Sequence, residues 1–149
     1  MVRKLYKIPK TLEVPYSKVM NLNKFLENDK KKFLEVGLKA IAHGKTAIII
    51  DASDPGLHLK LNGVPQLLKR IPTERPIHML ELMLNRLKDL GNHAMDQFGE
   101  GYDATRRDPI LVVLCVNEMD IGIIEDELVQ LNYYGYKGIL CFTIVSDFC

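Results

Sequence analysis

Polar side chains follow three strongly apolar segments of the sequence, at the points where strands of a sheet would end. The residues at these points are Asp51, Asp54, Asn117, Glu118, Asp120, Ser146 and Asp147. Ligands of parallel α/β sheets bind beyond the carboxyl ends of the strands, and carboxylate oxygens are suitable ligands for Mg²⁺ or Mn²⁺. One interpretation is therefore a metal-dependent nuclease in which Asp51, Glu118 and Asp120 are the catalytic residues.

A structural interpretation of the same residues is the one that we favour. Asp120 precedes a helical pattern, where an aspartate caps the helix and its charge suits the helix dipole. We expect Asp51 to accept backbone N–H groups where the strand ends, and Asp54 to set a turn at Pro55-Gly56. This interpretation predicts no catalytic residue, no metal and no cofactor, whereas Mg or Mn belongs to the nuclease alternative.

The composition is that of an ordinary globular protein. The chain has 149 residues, of which 47% are hydrophobic and 26% charged, and this is enough for one domain with a substantial core. The 20 basic and 19 acidic residues give a net charge of +1, which argues against binding of nucleic acid by bulk charge alone. No segment has the roughly 20 apolar residues of a membrane span, so we expect no membrane partner.

The histidines and cysteines do not form a recognisable site in the sequence. The four histidines have no close ligand spacing, and no glycine-rich phosphate loop is present. Cys115 and Cys141 lie inside apolar segments and Cys149 is the last residue, which is a poor framework for disulfides. We expect buried free thiols and an intracellular location in a reducing compartment, the cytoplasm or the nucleus.

The spacing of apolar residues predicts alternating helices and strands after an extended arm of residues 1–20. Residues 21–43 have helical spacing, as one bent helix or two short ones, and Gly44 should end this element. Residues 46–50 are apolar on both faces, which is typical of a buried central strand. Residues 63–71 form a short helix candidate.

The second half of the sequence continues the alternation. Residues 76–99 are either a strand followed by a helix from about Asn85, which we favour slightly, or one long helix. "PILVVLCVN" is the clearest strand. Residues 121–134 form an amphipathic helix whose inward residues should be Ile123, Ile124, Leu128 and Leu131, and "GYKGILCFTIV" contains a last buried strand.

These elements predict a single αβα domain over residues 21–149. It is a three-layer αβα sandwich around a mostly parallel sheet of about four strands. Strands 46–51 and 110–116 should be neighbours or one strand apart. The side chains expected to be almost wholly buried are Ile48, Ile50, Val112 and Leu114. Replacing Ile49 or Val113 by aspartate should unfold the domain, because an unpaired buried charge costs several kcal/mol.

Two families of RNA-processing proteins resemble parts of this sequence. "AIIIDAS" is similar to the first catalytic strand of PIN-domain and NYN-domain ribonucleases, and "VLCVNEMD" with the following helix resembles their later acidic segment. That resemblance implies the metal-dependent ribonuclease with strand-end carboxylates described above.

The second resemblance is to the kink-turn-binding ribosomal protein family. It is carried by "LKAIAHGKTAIIIDASDP", "GVPQLLKR", "RPIHML" and "LKDLGNHA", loosely over residues 33–116. The N-terminal "RKLYKIPKTLEVPY" and the elements after Asn117 resemble the diverged relatives in eukaryotic ribonuclease P and MRP. The resemblance implies a non-catalytic RNA-binding subunit of a ribonucleoprotein, with other protein subunits as partners.

Basic residues near two loops would contact the RNA under this second resemblance. Lys39 and Lys45 flank the Gly44 turn, and Lys69 and Arg70 lie near a loop that would face RNA. We expect the 51–62 loop, the Gly44 turn and the Lys69-Arg70 pair to form one polar edge of the sheet. A protein-interaction or structural component of a larger assembly is the other non-catalytic function that the sequence leaves open.

Overall fold

The computed structural model describes residues 21–53, 64–100 and 108–144. The chain divides into two compact units, residues 1–34 and residues 35–149. The predicted extended arm, residues 1–20, lies outside the described residues. The helices and strands in chain order are α1 (Glu27–Ala42), β1 (Ala47–Asp51), β2 (Arg70–Ile71), β3 (Ile77–His78), α2 (Met79–Phe98), β4 (Leu111–Val116), α3 (Ile121–Gln130) and β5 (Leu140–Ile144).

The described part of the first unit is helical. A 3-10 turn over Leu22–Lys24 precedes α1, which begins in this unit. The rings of Phe25 and Phe33 pack edge to face with their centroids 5.2 Å apart. The helical spacing of residues 21–43 therefore corresponds to a short turn followed by one helix.

Gly44 ends α1, as the sequence predicts. Its φ angle is 62°, a left-handed conformation that glycine adopts without steric cost. The N–H groups of Gly44 and Lys45 donate to the carbonyls of Ile41 and Ala40, each at 2.9 Å. This is the Schellman pattern that satisfies the last carbonyls of a helix, and it turns the chain into β1.

The main sheet of the second unit has three parallel strands in the order β1-β4-β5. The pairing of β1 with β4 confirms that strands 46–51 and 110–116 are neighbours. Among the described residues β1 and β5 pair only with β4, so both are edge strands of this three-stranded sheet. The prediction that residues 46–50 form a central strand is therefore wrong, and β4 is the central strand.

One face of the sheet packs against α2 and α3 and forms the core. Val112 and Leu114 of β4 are fully buried and Ile50 is almost so, which confirms the prediction for these residues, whereas Ile48 is only partly buried. The helix residues in the same cluster are Leu80, Leu84, Ile124 and Leu128. A smaller cluster joins Leu38 and Ala42 of α1 to Ala94 of α2.

The other face of the sheet is open within the described residues. Ile49 is 70% exposed, Cys141 is exposed and Val113 is half-buried. The expectation that Ile49→Asp unfolds the domain is therefore wrong in its premise, because the side chain at position 49 is not in the core. The side chains of the apolar residues in β1 alternate between the two faces of the sheet, and only those on the core face are packed.

Residues 76–99 form a two-residue strand and one long helix. β3 pairs antiparallel with β2, opposite Arg70 and Ile71, in a separate two-stranded sheet. α2 then begins at Met79, so the favoured helix start at about Asn85 is wrong. The fully or nearly buried positions of α2 are Leu80, Leu84, Gly91 and Ala94, and this spacing places them on one side of a helix.

Two other predicted helices are shorter in the structure. Of the candidate helix 63–71 the structure describes residues 64–71, and within these only Gln66–Leu68 is helical, as a 3-10 turn, while Arg70–Ile71 is strand. α3 ends at Gln130 instead of residue 134, and the inward side chains are Ile124 and Leu128. Ile123 and Leu131 were expected to point inward but are exposed.

The second unit is an α/β sandwich with a parallel sheet flanked by helices, as the sequence predicts. The parallel sheet has three strands among the described residues, where about four were expected. No helix of the described residues is long and apolar enough to cross a membrane.

Candidate functional site at the carboxyl edge of the sheet

The ends of β1 and β4 lie side by side at the carboxyl edge of the sheet. Asp51 is opposite Cys115 in the register, and the N–H of Ala52 donates to the Cys115 carbonyl at 2.8 Å. The pairing thus continues one residue beyond β1. The polar residues that follow the two strands are brought to the same edge, as expected for parallel strands.

Asp51 shapes the chain directly after β1. Its Oδ1 atom accepts the backbone N–H of Ser53 at 3.0 Å and the Ser53 hydroxyl at 2.7 Å. These two hydrogen bonds hold the pKa of the Asp51 carboxyl below its usual value of 3.8. The predicted acceptance of a backbone N–H by Asp51 is confirmed, and Asp54 lies outside the described residues.

Asn117 joins the two strand ends. Its Nδ2 group donates to the Ser53 carbonyl at 2.7 Å, so the residue after β4 holds the turn after β1. Its Oδ1 atom is buried and has no hydrogen-bond partner among the described residues. A buried acceptor of this kind carries a desolvation cost of roughly 1–3 kcal/mol.

A 3-10 turn over Glu118–Asp120 leads from Asn117 into α3. Met119 is 89% exposed at this edge. Asp120 occupies the N-cap position of α3, as expected. Its side chain makes no capping hydrogen bond. Among the described residues no three His, Cys, Asp or Glu side chains are grouped closely enough to hold a metal ion, and Ser146 and Asp147 lie outside them.

The four basic residues expected to contact RNA lie in two separate places. Lys39 Nζ pairs with Glu35 at 2.6 Å and lies 5.3 Å from the ring centroid of Phe98, the last residue of α2. The carbonyl of Lys69 accepts the N–H of Met79, the first residue of α2. α2 has 20 residues, or about 30 Å of helix, and it separates Lys39 from Lys69.

The single polar edge predicted from the sequence is therefore wrong. Lys45 belongs with Lys39, because it follows Gly44 at the end of α1, and Arg70 belongs with Lys69. The Gly44 turn precedes β1 and Asp51 ends it. Five residues of strand separate the two by about 17 Å.

A cluster of ionisable side chains that the sequence did not reveal lies beside α2. His78 Nδ1 is 2.8 Å from the Tyr134 hydroxyl and 3.1 Å from Glu127 Oε1. Arg70 Nε–H donates to His78 Nε2 at 3.2 Å, so that nitrogen acts as an acceptor. Burial, followed by the Glu127 and Glu81 charges, raises the pKa of Tyr134 and keeps its hydroxyl protonated.

The backbone at this cluster is strained. Asn132, Tyr133 and Tyr134 have φ angles of 48°, 52° and 52°, which side chains other than glycine rarely adopt. Lys88 Nζ donates to the Tyr134 carbonyl at 2.9 Å and, with the His78 contact, holds this left-handed turn against α2. The cluster joins residues 56 positions apart, so no local pattern could have predicted it.

The opposite, amino edge of the sheet contains a cavity of about 270 Å³. Its lining includes the buried Asp108, whose Oδ2 accepts the backbone N–H of Lys137 at 2.6 Å. The Tyr136 hydroxyl donates to the carbonyl of Ile110. Burial and then the Asp108 charge raise the pKa of Tyr136 to about 12. These contacts join the segment before β5 to the segment before β4.

Comparison with known proteins finds similarity among solved structures. No protein-family model matches the chain, and no curated protein matches its sequence. A solved structure from Entamoeba histolytica, described as that of a UDP-N-acetylglucosamine pyrophosphorylase, is similar with a TM-score of 0.62 and 26% sequence identity over 74% of this chain. The chain spans 27% of the length of that protein. The similarity supports the α/β fold.

Proposed function

We propose that the second unit binds a nucleotide sugar of the UDP-N-acetylglucosamine type at the carboxyl edge of its parallel sheet. The observation that carries the proposal is the similarity to the solved structure named for that compound, which extends over 74% of this chain. Binding alone is proposed, because the chain spans 27% of that protein.

The carboxyl edge supports this proposal because its polar groups are held in fixed positions. Open α/β sheets bind ligands beyond the carboxyl ends of their strands. Here the Asp51 carboxylate accepts two hydrogen bonds from Ser53, and the Asn117 side chain donates one to the Ser53 carbonyl. A site whose hydrogen-bonding groups are already ordered loses less conformational freedom when a ligand binds.

The side chains at this edge suit the parts of a nucleotide sugar. Sugar hydroxyls and the uracil N–H require hydrogen-bond acceptors, and the Ser53 hydroxyl oxygen, whose proton is donated to Asp51, can still accept. The exposed thioether of Met119 offers an adaptable apolar surface to the base. The diphosphate would be repelled by Asp51, and Mg²⁺ relieves this repulsion, since Mg²⁺ usually binds one or two carboxylates together with substrate phosphates.

RNA binding remains a prediction of the sequence and takes second place. Its four basic residues form two pairs near opposite ends of α2, so a single strand of RNA would not find one continuous basic patch. Phosphate recognition by such proteins depends on clustered Lys and Arg. The metal-dependent ribonuclease also remains untested. The described residues give it no grouped set of three ligands.

Isothermal titration calorimetry with the whole chain tests the proposal. We expect UDP-N-acetylglucosamine to bind wild type in the presence of Mg²⁺ and more weakly in its absence. Asn117→Ala should weaken binding roughly tenfold, or about 1.4 kcal/mol, because the Ser53 carbonyl is released. Asn92→Ala, the same change at an exposed position of α2, is the matched control and should bind as wild type does.

Two outcomes would contradict the proposal. One is the absence of binding heat with UDP-N-acetylglucosamine in a chain that melts cooperatively. The other is that Asn117→Ala and Asn92→Ala weaken binding equally, which would show that the carboxyl edge is not the binding site. A short single-stranded RNA titrated under the same conditions decides the runner-up, since salt-sensitive RNA binding without nucleotide-sugar binding favours the RNA-binding subunit.

A further inference from the structure

The outer face of the sheet presents an apolar row that crosses all three strands. Ile49 is opposite Val113, and Val113 is opposite Cys141 in the register. In strands the side chains of alternate residues share a face, so these three lie side by side. Ile49 is 70% exposed and Cys141 is exposed. Ile139, which precedes β5, is exposed as well.

An open outer face is unusual for a parallel sheet. All-parallel sheets occur almost only with both faces covered, usually by helices. Here α2 and α3 both contribute to the cluster that packs on the core face, and no described helix residue belongs to a cluster with Ile49 or Val113.

Charged residues of opposite sign lie at the amino and carboxyl edges of this outer face. Lys45 and Lys137 are exposed at the amino edge, before β1 and β5. Asp51 is exposed at the carboxyl edge, and its hydrogen bonds to Ser53 favour the ionised form. A helix that runs antiparallel to the strands would place its positive N-terminus at Asp51 and its negative C-terminus at the two lysines.

We infer that the outer face, defined by Ile49, Val113 and Cys141, docks an amphipathic α-helix of another polypeptide antiparallel to the strands. The apolar stripe of that helix covers the row, and its dipole matches the charges at the two edges. Strands of five and six residues extend about 17–20 Å, which a helix of about 14 residues spans.

The rate of modification of the Cys141 thiol measures access to this face. The full chain is treated with a maleimide reagent, and labelling at Cys141 is followed separately from Cys115 and Cys149 by peptide mass mapping. The probe is a synthetic amphipathic peptide of about 14 residues with leucines at helical spacing and glutamates in its last turn. A peptide of the same composition in scrambled order is the control.

We expect Cys141 to react quickly in the free chain and at least about fivefold more slowly with saturating peptide, as for a site of appreciable occupancy. Ile49→Lys should abolish this protection, because it places a charge in the apolar row. Ile123→Lys is the matched control. Position 123 is 51% exposed on α3, so this variant should retain the protection.

Three outcomes would overturn the inference. Fast labelling that the peptide does not change shows that no helix docks there. Slow labelling of the free chain at every protein concentration shows that the chain covers the face itself. Slow labelling that appears only as the protein concentration rises shows that a second copy covers it.

Discussion

The two faces of the β1-β4-β5 sheet are built from alternate residues of the same apolar strands, yet their environments differ completely. On one face Leu114 and its neighbours are fully buried against α2 and α3. On the other, Ile49 is mostly exposed although it lies between Ile48 and Ile50. An apolar run in the sequence therefore indicates which residues can be buried, but it does not indicate which of them are buried in the structure.

The same difference separates stability from recognition in this molecule. The core face contains the packing that holds the second unit together, because burial of apolar area is the main favourable term in folding. The outer face contributes little to folding within the described residues and is available for a partner. Substitutions that alter one face at a time should therefore have separable effects.

The largest effect is expected on the core face. Leu114→Ala removes a fully buried side chain from the central strand and should destabilise the protein by about 2–5 kcal/mol, the usual cost of such a cavity. Urea unfolding followed by circular dichroism measures this change. A loss below about 1 kcal/mol would mean that Leu114 is not packed as described.

The pH dependence of folding stability provides a second test of the core face. Tyr136 belongs to the same buried cluster, and its pKa is raised from 10.0 to about 12. Its contribution to stability is fully present below pH 10 and should be lost as the pH rises from 10 towards 12, because the unfolded chain releases the proton first. Urea midpoints measured across this range should fall more for wild type than for Tyr136→Phe, and parallel curves would contradict the assignment.

The smallest effect on stability is expected on the outer face. Ile49→Asp should change the free energy of unfolding by no more than about 0.5 kcal/mol, as is usual for exposed positions. This outcome replaces the expectation of unfolding that the apolar sequence of β1 suggested. If the variant is insoluble or does not unfold cooperatively, position 49 is covered in the folded protein. The two faces of the sheet would then not differ in burial as described.

Features that depend on neighbouring residues could be predicted from the sequence. The Gly44 helix end and the contact of Asp51 with Ser53 are of this kind, because each is made by residues only a few positions apart. β4 was equally clear, since its length and composition fit only a strand. The helical spacing of Leu80, Leu84, Gly91 and Ala94 is also present in the sequence, but the expectation of a fourth strand favours a strand where the structure has the first turns of α2.

Features that depend on the packing of distant segments could not be predicted. The position of β1 at an edge follows from the order of strands, which periodicity does not contain. The contact of His78 with Tyr134 and the role of Asn117 in holding Ser53 each join segments more than 50 residues apart. The separation of Lys39 from Lys69 likewise became visible only when α2 proved to be one long helix.

Methyl NMR of the methionines tests the proposed nucleotide-sugar site most directly. Met119 is exposed at the carboxyl edge, whereas Met95 packs with the small cluster near the other end of α2. On titration with UDP-N-acetylglucosamine and Mg²⁺, the Met119 methyl signal, assigned with a Met119→Leu variant, should shift to a saturating value while the Met95 signal stays unchanged. A Met119 signal that does not move, or a shift confined to Met95, would contradict binding at the carboxyl edge.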